Sequence, residues 1–176
     1  MRRVAIFGNA GGGKSTLARC LAELTHLPLY VVDMMQFRAG GVKVPQHEFL
    51  QAHVDLLRRD EWIINGFGST ALVWERCVAA DTLILYRSAA AHPSPMGDKT
   101  PYQRAIRGPA GLAEQQPVWS SSIQSYRVLW PCHPHLTPKY RQLVTEAAAS
   151  KRVHHLRSPA QIESFIETVK NERLKP

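Results

Sequence analysis

Gly8-Asn9-Ala10-Gly11-Gly12-Gly13-Lys14-Ser15-Thr16 is the stretch that decides the fold. Its spacing is G-x-x-x-x-G-K-[ST] without a mismatch. The apolar run Val4-Ala5-Ile6-Phe7 precedes it, and Leu17-Ala18-Arg19-Cys20-Leu21-Ala22 follows with helical character. The motif therefore lies between a short strand and a helix, the context in which it has meaning. Glycines let a backbone wrap closely around an anion. Consecutive N–H groups then face inward as a nest, and the helix directs its positive end at the same point. In such a loop Lys14 reaches the β- and γ-phosphates of a bound nucleotide, and the Ser15 hydroxyl holds Mg²⁺. Gly8, Asn9, Ala10, Gly11, Gly12, Gly13, Lys14, Ser15 and Thr16 are accordingly the candidate ATP-binding residues.

Outward from this loop, strand and helix signals alternate. Strands are expected at Val4–Phe7, Leu29–Val32, Trp62–Ile64, Thr82–Tyr86 and Val153–Leu156. Helices are expected from about Lys14 to Leu24, over Gln46–Asp60, Thr70–Ala79 and Thr137–Ser150, and from Ser158-Pro159 to about Glu172. In Gln46–Asp60 the residues Phe49, Leu50, His53, Leu56 and Leu57 fall near helical spacing. Repeated βα units imply an α/β fold, a five-stranded parallel sheet with helices on both faces. Ligands then sit beyond the C-terminal strand ends, which gathers Gly8–Ser15, Asp33, Asn65–Ser69 and Arg157–Pro159 along one edge.

Asp33 follows the second strand. A carboxylate there can bind Mg²⁺ or take a proton from a substrate hydroxyl; capping a turn is the other role open to it. Asn65-Gly66-Phe67-Gly68-Ser69-Thr70 follows the third strand. Its glycines could admit a substrate to the backbone, or it is a loop ending in an N-cap at Ser69 or Thr70. Arg157 follows the fifth strand and could border the nucleotide base, or simply start a helix.

The 176 residues carry a net charge of +8, with 44% hydrophobic and 20% charged residues. These values describe an ordinary globular chain, here expected to be one domain spanning residues 1–176. No apolar run approaches the ~20 residues of a membrane span, and no signal-peptide core is visible, so a cytoplasmic protein is expected. Cys20, Cys77 and Cys132 form neither a metal pattern nor a disulfide framework. Cys132-His133-Pro134-His135 lacks a second ligand cluster and reads as a loop. The basic charge would suit nucleic acid, yet no reading helix or basic–aromatic stripe supports that partner.

With these motifs in place, the chain resembles the adenylate-kinase-like P-loop kinases, and within them the FlaR-type "DNA topology modulation" proteins. The resemblance covers residues 1–86 and 117–170. It implies a P-loop NTPase fold, ATP and Mg²⁺ as ligands, and transfer of the γ-phosphate to a small molecule or nucleotide. It also implies Lys14 and Asp33 as catalytic residues, with Ser15 and Asp33 at the metal. Asn65-Gly66-Phe67-Gly68-Ser69-Thr70 is similar to the family's D-G-F-P-R-T turn. Here Asn65 stands for the aspartate that organises Mg²⁺, and Ser69 for the arginine that grips an acceptor phosphate. The topology label brings a second reading, a nucleotide-responsive regulatory or DNA-associated protein with little kinase activity.

Residues 87–116, RSAAAHPSPMGDKTPYQRAIRGPAGLAEQQ, fall where the family carries its lid. The segment is rich in Ala, Pro and Gly and has no clear period. Pro93, Pro95 and Pro101 oppose a continuous helix. A shifted reading frame would account for it. Met96-Gly97 must be encoded ATG-GGN, so reading from the second base forces a tryptophan. With permitted codons Pro95–Arg104 then becomes RWVTKRLIKG, similar to the family's basic lid. Without such a lid the chain would bind ATP and transfer phosphate poorly.

Overall fold

The computed structural model describes residues 1–8, 13–38, 40–86, 142 and 145–174. Asn9–Gly12, the lid-region insert at about 87–117, Cys132–His135 and most of the helix expected over Thr137–Ser150 lie outside the described residues.

Among the described residues, five strands form one sheet in the order β2-β3-β1-β4-β5, every adjacent pair parallel. They are β1 (Arg3–Gly8), β2 (Leu29–Val31), β3 (Trp62–Asn65), β4 (Thr82–Tyr86) and β5 (Arg152–Leu156). The helices are α1 (Lys14–Thr25), α2 (Val32–Met35), α3 (Gln46–Leu57), α4 (Thr70–Ala79) and α5 (Pro159–Leu174). This is the α/β parallel sheet that the alternation implied, and with G-x-x-x-x-G-K-S joining β1 to α1 it is the P-loop NTPase fold that the resemblance implied.

The strands β1, β3 and β4 read as continuous apolar runs because both of their faces are covered. Ala5, Phe7, Trp62, Ile64, Leu83 and Leu85 point to one side, where Phe49 and Leu56 of α3 and Leu72, Val73 and Cys77 of α4 meet them. Val4, Ile6, Ile63, Ile84 and Tyr86 point to the other, against Leu17, Ala18 and Leu21 of α1 and Ile162, Phe165, Ile166 and Val169 of α5. The period of two on the strands and the stripes on the helices thus build two cores, one on each sheet face.

Several boundaries differ from the sequence reading: β1 spans Arg3–Gly8, β3 runs on to Asn65 and β5 starts at Arg152. Val32 leaves the sheet and starts the single-turn helix α2, which is too short to show a period. Helix α3 ends at Leu57 rather than Asp60, because Arg58-Arg59-Asp60 adds no apolar residue to its stripe. Helix α5 continues two residues beyond Glu172, to Leu174. Cys20 and Cys77 are free thiols, and burial pushes the Cys77 thiol up to about 12, so it stays protonated and inert.

Lys151 closes the C-terminus of α4. Its ammonium donates to the carbonyls of Cys77 (3.0 Å), Ala80 (2.7 Å) and Val78. These are among the carbonyls a helix end leaves without an intrahelical partner. Hydrogen bonds to a charged group contribute about 1.5–3 kcal/mol each, less whatever water can replace. Lys151→Met is therefore expected to lower stability by about 1–3 kcal/mol in a urea melt. An unchanged midpoint would mean that solvent caps the helix equally well.

His53 of α3 has no exposed surface, and neither ring nitrogen has a good hydrogen bond among the described residues; Glu75 Oε2 stands 3.5 Å from Nδ1. Burial, and then the positive charge of Arg76, push its pKa down from 6.5 to about 4. At neutral pH the ring is uncharged, so the Glu75 contact is not an ion pair. The unfolded chain binds this proton from about pH 6.5, the folded chain only near pH 4. Stability is fully present above pH 6.5 and falls as pH drops through that window, by about 3 kcal/mol at the low end. His53→Leu should remove this acid-limb loss, as read from melts between pH 7 and 4. An acid limb identical to wild type would place the loss elsewhere.

Candidate nucleotide-binding site

The C-terminal ends of β1, β2, β3 and β5 present Gly8, Val31 with Asp33, Asn65 and Arg157 along one edge, as the topology requires. Gly8 has φ +133°, and a Cβ there would lie 1.8 Å from the carbonyl oxygen of Tyr86. Only glycine lets β1 leave the sheet at this point. Gly13, at φ +94°, is the N-cap of α1. Thr16 and Leu17 N–H both donate to its carbonyl. Among the described residues no side chain caps α1, and its first turn holds no acidic residue. The positive end of such a helix favours a negative charge beside it.

Lys14 begins α1 beside that end. Burial holds its ammonium pKa down, from 10.5 to about 8, and the carboxylate of Asp33 pulls it partly back up. A cation held where water solvates it poorly is poised to gain from a polyanion. Ser15 is exposed, and its Oγ accepts a hydrogen bond from Asn65 Nδ2 at 3.2 Å.

Asp33 is exposed in the first turn of α2, and its carboxylate holds the turn after β3. Phe67 N–H donates to Oδ1 at 3.0 Å and Oδ2 at 3.2 Å, and Gly68 N–H donates to Oδ1 at 3.0 Å. The other side of the same turn is held by Arg76 of α4, which is only 3% exposed. Its guanidinium donates to the carbonyls of Gly66 (2.8 Å), Phe67 (2.7 Å) and Leu72 (3.0 Å). A carboxylate on the N–H side and a guanidinium on the C=O side thus fix one loop.

The two glycines of this turn serve that packing. At Gly66, φ +106°, a Cβ would meet Asp33 Oδ2 at 2.8 Å; at Gly68, φ +66°, it would meet Val32 Cγ1 at 2.8 Å. Their small size admits the protein's own side chains. Ser69 is the N-cap of α4, its Oγ accepting from Leu72 N–H at 3.4 Å. Arg157 is exposed just past β5, with its guanidinium 3.2 Å from His155 Nδ1 and its N–H bonded to Gln161 Oε1 at 2.6 Å.

Arg76 escaped the sequence reading, although a signal existed. It shares a helical stripe with Leu72, Val73 and Cys77, at i+3 and i+4 spacing. An arginine on an apolar stripe must find buried partners.

Among the described residues no helix is long and apolar enough to cross a membrane. No family model and no curated protein matches the chain. Several solved structures follow a similar course. The shikimate kinase of Aquifex aeolicus vf5 is 12% identical, with a TM-score of 0.48, over 99% of both chains. The shikimate kinase of Acinetobacter baumannii, in complex with shikimate, is 17% identical, with a TM-score of 0.49, over 99% of this chain and 96% of that one. A gluconokinase from Sinorhizobium meliloti 1021 is 14% identical, with a TM-score of 0.39, over 97% of both. The chemistry of the site rests on its own residues.

Proposed function

We propose that the protein is an ATP-dependent kinase of the adenylate-kinase-like kind, of FlaR type, which transfers the γ-phosphate to a small-molecule or nucleotide acceptor. The observation that carries this reading is the half-buried, poorly solvated Lys14 ammonium at the N-terminus of α1. The G-x-x-x-x-G-K-S spacing is the one that brings a nucleotide's phosphates to that spot.

The residues divide the task. The Gly8–Thr16 loop and the α1 terminus hold the phosphates, and Lys14 neutralises charge on the β- and γ-phosphates. Mg²⁺ suits the donor set here, since the exposed Ser15 hydroxyl stands next to a buried amide whose Oδ1 has no partner among the described residues. Ser15 would hold the ion, with Asp33 as its nearby anion; bound, it would withdraw charge from the phosphates. Asp33, anchored by the turn yet exposed, also orients the acceptor hydroxyl and takes its proton. The acceptor oxygen bonds to the γ-phosphorus as the bond to the β,γ-bridging oxygen breaks, and ADP leaves. Arg157, at the same edge, would border the base.

A screen of hydroxylated small molecules and nucleoside monophosphates, following ADP release, tests the reading. Acceptor-dependent release is expected. ATP binding without transfer to any acceptor would favour the nucleotide-responsive regulatory reading.

A further inference from the structure

We infer that Arg76 is a positioning residue for this site, and that it fixes the Asp33 carboxylate through the two peptide groups that join Gly66, Phe67 and Gly68. This rests on the role given to Asp33 above and deepens it. Asp33 has a weak platform of its own. Helix α2 is a single turn of four residues, and the strand before it, β2, has three and lies at one edge of the described sheet. A helical turn that short has little stability in isolation. Yet a group that meets a reacting atom must be held closely, since a misplacement of about 1 Å can cost about 10²-fold in rate.

The stiffness comes from α4. Arg76 lies on that ten-residue helix and is only 3% exposed. Its Nε–H donates to the Leu72 carbonyl one turn back at 3.0 Å, which sets the plane of the guanidinium. Nη1 then donates to the Gly66 carbonyl at 2.8 Å, and Nη2 to the Phe67 carbonyl at 2.7 Å.

Each peptide group in the turn is thereby held at both ends. The Gly66–Phe67 peptide gives its C=O to Arg76 and its N–H to Asp33. The Phe67–Gly68 peptide does the same one step on. A trans peptide is planar, with its C=O and N–H pointing in opposite directions. Two rigid groups therefore link the buried guanidinium to the exposed carboxylate. A cation on each C=O also polarises the peptide and strengthens the bond its N–H gives to Asp33. A lysine ammonium keeps the charge but has no planar fork to set both carbonyls at once.

Hydrogen exchange and kinetics on the full chain test this, with Arg76→Lys and Arg76→Met. The Phe67 and Gly68 amides, followed by NMR, should exchange about tenfold faster or more in Arg76→Lys, and faster again in Arg76→Met. The Ile63 and Ile64 amides of β3 should exchange as in wild type. ATP turnover, followed as ADP release with water or with the acceptors of the screen above, should fall about tenfold or more in Arg76→Lys. Its ATP affinity at pH 7 should stay as in wild type. In an Asp33→Asn background Arg76→Lys should cost no further turnover, because the group it positions has gone. Phe67 and Gly68 amides as protected in Arg76→Lys as in wild type would overturn the inference. So would an equal fall in turnover in both backgrounds, the mark of a merely structural residue. If Arg76→Met does not fold, Arg76→Lys decides alone. Wild type that releases no ADP with any of these acceptors overturns the kinase reading instead, and the exchange rates still decide whether Arg76 fixes Asp33.

Discussion

Lys14→Ala is expected to reduce ATP turnover by at least about 10²–10³-fold, the usual loss when one preorganised charge-stabilising group is removed. ATP affinity should fall with it. The same variant is expected to be more stable than wild type without ligand. In the folded protein the Lys14 pKa is about 8, against 10.5 for an ordinary lysine. Holding that charge at neutral pH therefore opposes folding, by about 1–3 kcal/mol once lost packing of the side chain is allowed for. Between pH 8 and 10.5 the unfolded chain binds this proton and the folded chain does not, so wild-type stability rises with pH across that window. Lys14→Ala should lack the rise. Kinetics with ATP, and melts from pH 7 to 10.5, check both halves. A variant that turns over ATP normally, or melts lower than wild type at pH 7, would remove Lys14 from the phosphate site.

Asp33→Asn is expected to lower turnover by about 10²–10⁴-fold, the range for loss of a positioned proton acceptor, with little change in melting temperature. An asparagine Oδ1 can still accept from Phe67 and Gly68 N–H, both of which bond to one carboxylate oxygen at 3.0 Å. The turn survives, and the charge does not. Asp33 also raises the Lys14 pKa, so the variant should lose ATP affinity at a lower pH than wild type. Asp33→Ala removes the turn contacts as well and should be measurably less stable. Equal turnover in wild type and Asp33→Asn would leave Asp33 with the turn alone.

Much of the fold could be read from the chain because its central strands are buried on both faces. Val4–Phe7 and Leu83–Tyr86 are apolar without interruption, and loop residues bound them. Helix Thr70–Ala79 was legible through its cap and stripe. The α2 turn was not, since four residues carry no period and Val32 resembles the strand before it. The phosphate loop declared itself by residue type and spacing. The cross-links that shape the rest of the site did not. Asp33 meets Phe67 across 34 positions, and Asn65 meets Ser15 across 50. Such contacts depend on strand order, which local pattern does not encode.

Binding affinity as a function of phosphate number tests the central claim most directly. ATP, ADP, AMP and adenosine would be titrated into the wild-type protein at pH 7 and again at pH 9, above the Lys14 pKa of about 8. The account expects affinity to fall steeply from ATP through ADP to AMP and adenosine, and the preference for ATP to shrink at pH 9. Equal affinity for ATP and adenosine, or no binding of either, would contradict it.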